Sequence, residues 1–206
     1  MNFLAHVRVA LASGDDERFV LGAVLPDLES LLGPLGLSQR DHPEVARGIA
    51  VHRATDAAFH ADRRFVAGSI ALTRALQAEG VGRGPSRAVG HAGWELLLDG
   101  TLVDDAEATG ALAGALELLA RSADGSNSHL TTFNARAEGL WAGYVDPYEV
   151  ASRLHRQLAD RPRLALPVDQ VATVGEVLAR TQPEVAGHGP AIIRDVTDAV
   201  LAGTAV

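Results

Sequence analysis

The chain of 206 residues contains no cysteine. Disulfides and thiolate metal sites are therefore excluded, and any bound metal must be held by His, Asp or Glu. Lysine is absent too, so all 18 basic residues are arginine. No stretch approaches the roughly 18 apolar residues of a membrane span, so no membrane contact is expected. The segment from Met1 to Asp16 lacks a positive leader and a long apolar run, which argues against a signal peptide and makes a cytoplasmic protein the default expectation. Strand-like alternation bounded by turn residues is hard to find.

Basic residues are outnumbered by 26 acids, giving a net charge of −8. Such a chain is a poor candidate for nucleic-acid binding. The charge is uneven, however. Residues 47–87 carry seven arginines (Arg47, Arg53, Arg63, Arg64, Arg74, Arg83, Arg87) against Asp56, Asp62 and Glu79, a local +4. A solvated helix surface accounts for this stretch; a basic rim that recruits an anionic partner or phosphate is the functional alternative.

Apolar residues make up 47% of the chain, ordinary for one globular domain with a sizeable core. Their spacing is helical nearly throughout, which predicts an all-α, single-domain helical bundle over residues 1–206. Helices are expected at 2–12, 17–32, 43–60, 62–79, 86–98, 104–121, 129–143, 147–159, 168–181 and 189–202. Pro26 falls inside the second and should kink or break it, freeing a carbonyl. Asp41 or His42 before Pro43 marks a helix start.

Histidines and acids recur at helical spacing: His52, Asp56 and His60 on one helix, then His91, Glu95 and Asp99 on another. Residues four apart share a helix face. With His6 and Asp27 from two further segments, such ladders can converge on one or two divalent metal ions. His6, Asp27, His52, Asp56, His91 and Glu95 are the candidate metal ligands, and Asp27, Asp56 and Glu95 the candidate catalytic acids. Arg53, beside His52, is a candidate phosphate-binding residue, because guanidinium pairs bidentately with phosphate. The ligand types suit manganese, iron, zinc and other divalent ions alike. Each residue also has a plain reading as an exposed or salt-bridged side chain, favoured for Asp99 and His60. His6 is equally readable as a core histidine. His42, His129, His155 and His188 lie in or beside loops or polar faces and are read as structural.

Several of these residues fall in motifs. The opening Met1-Asn2-Phe3-Leu4-Ala5-His6, the Gly22 to Asp27 segment, Gly48-Ile49 with His52-Arg53 and Asp56, Trp94-Glu95, Tyr144 with Asp146, and Arg161-Pro162-Arg163-Leu164 follow one another along the chain. In this order they resemble the acyl carrier protein phosphodiesterase family. The resemblance implies an all-helical, HD-domain-like fold related to the HD-type metal phosphohydrolases. It further implies hydrolytic removal of 4′-phosphopantetheine from holo-acyl carrier protein with a divalent metal, typically manganese. Carried over by position, His6, Asp27, His52, Asp56 and Glu95 become metal and catalytic residues. The chain departs from the family where Glu95-Leu96 replaces an Asp-His pair, where His91 and His60 stand in place of acids, and in its Leu25-Pro26-Asp27 segment. The expected partners are thus acyl carrier protein or a small phosphoester. Iron-dependent oxidation on the same scaffold, or a non-catalytic helical binding protein with a decayed site, are the alternatives.

Overall fold

A computed structural model describes residues 3–14, 16–33, 35, 42–122 and 141–204. Among them are eight α-helices and no strand: α1 Phe3–Leu11, α2 Glu17–Leu32, α3 Pro43–Ala61, α4 Arg63–Ala78, α5 Arg83–Gly100, α6 Ala106–Ser122, α7 Pro147–Leu158 and α8 Val171–Thr204. Most of the expected helix 129–143 lies outside the described residues. No helix is long and apolar enough to cross a membrane, among the described residues.

Local chemistry sets the helix starts. The Asp16 carboxylate accepts the backbone N–H groups of Arg18 and Phe19 at the head of α2, and Asp62 accepts those of Arg64 and Phe65 at the head of α4. His42 Nδ1 accepts the Glu44 N–H, with Pro43 opening α3, and Asp146 caps α7 ahead of Pro147. Each cap satisfies amides that the helix cannot pair internally.

Three prolines behave differently from expectation. α8 runs unbroken through Pro183 and Pro190, where two helices were expected. A proline removes one internal hydrogen bond, but the apolar face continues across both. Val174, Val177, Leu178, Val185, Ile192, Val196 and Val200 are all buried, so packing carries the helix past each break. Pro26 likewise leaves α2 helical.

α2 is the central helix. Phe19, Val20, Leu21, Ala23, Val24, Leu25 and Leu28 are buried on all its sides. It lies in backbone contact with α3: a Cβ on Gly48 would stand 2.1 Å from the Phe19 carbonyl oxygen, and one on Gly22 would stand 2.2 Å from that of Val45. α5 also packs tightly on α4: a Cβ on Gly90 would stand 2.1 Å from the Thr73 side-chain Oγ1 and 2.9 Å from the Ser69 carbonyl oxygen. These contacts bring the polar stripes of α3 and α5 against their neighbours. α1 packs on α2, α3 and α6, and α8 lies across α3, α4 and α5.

Candidate metal centre

The His/acid residues gather into two groups along α3. In the first, His6 from α1 and His52 and Asp56 from α3 lie together. His6 Nε2 is 3.3 Å from Asp56 Oδ1, and His52 Nε2 is 3.4 Å from Asp56 Oδ2. Asp27, one residue beyond Pro26 in α2, lies 3.8 Å from His6 Nε2. The two imidazoles stack with centroids 4.1 Å apart and planes inclined by 22°.

His52 Nδ1 donates to the Ala23 carbonyl at 2.8 Å. That carbonyl belongs to α2, next to the Gly22 carbonyl whose amide partner Pro26 removes. The bond places the ring proton on Nδ1 and turns a bare Nε2 toward Asp56. Metal-bound histidines are oriented this way, with the second nitrogen held by a backbone carbonyl or carboxylate. Only a proton or a cation makes the contact between a bare Nε2 and a carboxylate attractive.

Burial of the ring lowers the His6 pKa and keeps it neutral, the form that ligates metals. Burial also disfavours the charged form of His52, but its bond to Asp56 and the nearby charge of Asp27 outweigh this and raise its pKa. Burial pulls Asp56 upward, yet its bonds to His52 and His6 hold it far below the usual carboxylate range. A cavity of about 10 Å³ adjoins these residues, lined by His6, Thr55 and Asp56 and covered by Ile193 and Val196 of α8. The buried Thr55 hydroxyl and His6 Nδ1 have no hydrogen-bond partner among the described residues. Two imidazoles and a carboxylate whose ligand atoms lie close together could hold a divalent ion.

The second group joins His60 of α3 with His91 and Glu95 of α5. Both Nε2 atoms point at one oxygen, Glu95 Oε1, at 3.2 Å from His60 and 3.1 Å from His91. Burial raises the Glu95 pKa, and the bonds to both histidines outweigh it, so the group is held well below the usual range. The bond to Glu95 raises His60. Phe65 forms the floor, its ring centroid 5.3 Å from that of His91 and 5.5 Å from that of His60. Glu95 is only 7% exposed, but His60 and His91 are 41% and 52% exposed, and Asp56 of the first group is 43% exposed. An open edge therefore runs from Asp56 through His60 to His91.

The single convergence expected from the sequence is thus divided. His6, His52 and Asp56 form one set of neighbouring ligand atoms and His60, His91 and Glu95 another. His60, read from the sequence as exposed or salt-bridged, stands in the second group. Asp99 stands in neither. It is buried beneath the start of α1, where its oxygens accept the Leu4 N–H at 3.0 Å and the Ala5 N–H at 2.9 Å. Burial raises its pKa to about 7 against the opposing pull of those bonds. Arg53 is exposed, and one step along the helix turns it about 100° from the His52 stripe; no contact joins it to either group. His42 caps α3, and His155 Nδ1 bonds the Leu166 carbonyl at 2.7 Å, both structural as read. His129 lies outside the described residues.

No family model, curated protein or solved structure matches the chain.

Proposed function

We propose that this protein is a divalent-metal-dependent phosphoesterase, with the phosphodiester-cleaving activity of the acyl carrier protein phosphodiesterase family that its motifs resemble. The observation that carries the reading is the pairing of two imidazoles with one ionised carboxylate in each of two adjacent groups, sharing one open edge. His6, His52 and Asp56 would hold one ion, and His60, His91 and Glu95 a second. Manganese is the first expectation, with iron or zinc compatible with the same ligands. Such an ion supplies a Lewis acid for a phosphoryl oxygen and acidifies water.

The protein's own residues divide the remaining work. Asp56 and Glu95 are bound to two histidines each and held ionised, which suits them to ligation. Asp27 makes only the longer contact to His6, so it is the carboxylate placed to take a proton from water. The open edge from Asp56 to His91 admits the phosphoryl group, while the buried sides of both groups keep the ligands oriented.

Hydrolysis of bis(p-nitrophenyl) phosphate tests the reading. Turnover is expected with added manganese, lost on chelation, and reduced at least a hundredfold in His52→Ala. Undiminished turnover in that variant contradicts the proposal. Release of phosphopantetheine from holo-acyl carrier protein, followed by mass spectrometry, tests the finer assignment of substrate.

A further inference from the structure

α5 carries Arg83, Arg87, His91 and Glu95 at successive four-residue steps. The stripe that ends at the second metal group therefore begins at the positive end of its helix. Beside it, α4 and α5 enclose a groove of about 450 Å³ lined by Arg74, Gln77, Arg83, Arg87, His91 and Ile70 among others, with no carboxylate in its wall.

Three arginines without an ion pair share this groove; Arg53, Arg63, Arg156, Arg161 and Arg163 also meet no carboxylate among the described residues, but none of them lines it. Arg8, Arg47, Arg64, Arg121, Arg180 and Arg194 each meet a carboxylate within 3.4 Å. Arg74, Arg83 and Arg87 meet none among the described residues, although acids outnumber bases in the chain. Arg83 and Arg87 are also like charges one turn apart, an arrangement that destabilises a helix unless an anion sits against it. Guanidinium groups take phosphate bidentately, and the amide of Gln77 adds a neutral donor.

We propose that this groove is a phosphate subsite. It takes a second, non-reacting phosphate of a small phosphoester whose reacting phosphoryl faces His91 and Glu95. Along α5, Arg87 lies about 6 Å and Arg83 about 12 Å from His91. A spacer of a few bonds between the two phosphates covers that reach. Ile70, 46% exposed, offers an apolar wall for the spacer. The groove's volume falls in the range of small-molecule sites, and the chain's net charge of −8 repels acidic macromolecules at a distance. Both favour a small ligand over an acidic protein. The pairing with a reacting phosphoryl rests on the hydrolase reading; the anion site does not.

Calorimetric titration with inorganic pyrophosphate at low salt tests the proposal, using the protein as purified. Wild type is expected to bind one equivalent. The Arg83→Gln/Arg87→Gln variant, whose exposed side chains leave the fold intact, should bind at least tenfold more weakly with unchanged metal content. Glu95→Gln should lose the ion of its group yet keep its pyrophosphate affinity within about twofold. Absence of binding in wild type, or equal binding in the arginine variant, overturns the subsite. Loss of binding in Glu95→Gln alone overturns it as well, by placing the anion on the metal. Arginine-dependent capture of holo-acyl carrier protein without pyrophosphate binding overturns the small-ligand assignment. Pyrophosphate binding as expected, with no turnover of any phosphodiester, upholds the subsite and refutes the hydrolase reading.

Discussion

His52 is the residue on which the first metal group turns. Its Nδ1 is committed to the Ala23 carbonyl, so Nε2 is offered to a cation without any rearrangement. In the metal-free protein His52 and His60 hold protons more tightly than an ordinary histidine, because each faces a carboxylate. A metal must displace those protons. Metal retention is therefore expected to fall as pH drops, starting above the ordinary histidine value of 6.5; equilibrium dialysis across pH 5.5–8.5, a window of about one to two units either side of that value, measures it. Asp99 gives a dependence of the opposite kind. Its folded-state pKa of about 7 lies above its ordinary 3.8. Between those values the folded state binds the proton and the unfolded state does not, so this group's contribution to stability falls as pH rises through that window. Urea denaturation of wild type and Asp99→Asn should therefore show the smallest pH-dependent difference near pH 3.8, where Asp99 is protonated in the fold like its neutral replacement, with wild type losing stability relative to the variant as pH rises to about 7; parallel curves would show that Asp99 does not titrate there. The motif positions of these residues were legible in the sequence, but the two destinations of the α5 stripe were not. Glu95 and Asp99 are one turn apart and chemically alike, and only the packing of α1 across α5 sends the second to a helix cap. The Ala23 carbonyl has no side-chain signature at all.

At the scale of elements, the site depends on how closely α2 and α3 approach. Gly22 and Gly48 leave no space for a Cβ against the opposing backbone carbonyls. Gly48→Ala must push α3 away from α2, lengthening the His52 to Ala23 bond. We expect a loss of about 1–3 kcal/mol in stability, the usual cost of overpacking, together with weaker metal binding. Calorimetry and metal titration read the two effects, and an unchanged variant would show that the interface tolerates the added methyl. The start of α3 was readable from the sequence because its cap is local, His42 acting through its own side chain ahead of Pro43; α5 begins at Arg83, three residues before the expected start at Ser86, with no side chain capping it. The continuity of α8 was not readable, because it depends on the burial of residues on both sides of Pro183 and Pro190 against helices distant in sequence. The close packing at Gly22 and Gly48 was visible only as motif glycines, since nothing local says which backbone they face.

At the scale of the molecule, the all-α single bundle followed from helical spacing alone, as the eight helices show. The meeting of histidines from α1, α3 and α5 is a tertiary event; helical spacing suggested one point of convergence, and the packing gives two groups. The division has a thermodynamic consequence. The first group ties α1 to α3, and the second ties α3 to α5, so ions held there stabilise the folded chain and not the unfolded one. At a metal concentration 100 times the dissociation constant this amounts to about 2.7 kcal/mol per site. Chelation is expected to lower the melting temperature by several degrees, in a single transition; an unchanged melting curve would argue that no ion is held.

Elemental analysis of untagged protein purified without chelators tests the central claim most directly. Wild type should carry up to two equivalents of manganese, iron or zinc, with one equivalent lost selectively in His52→Ala and one in Glu95→Gln. Absence of metal in wild type, even after incubation with each ion, would contradict the account and leave both clusters as hydrogen-bonded features of the helix interfaces.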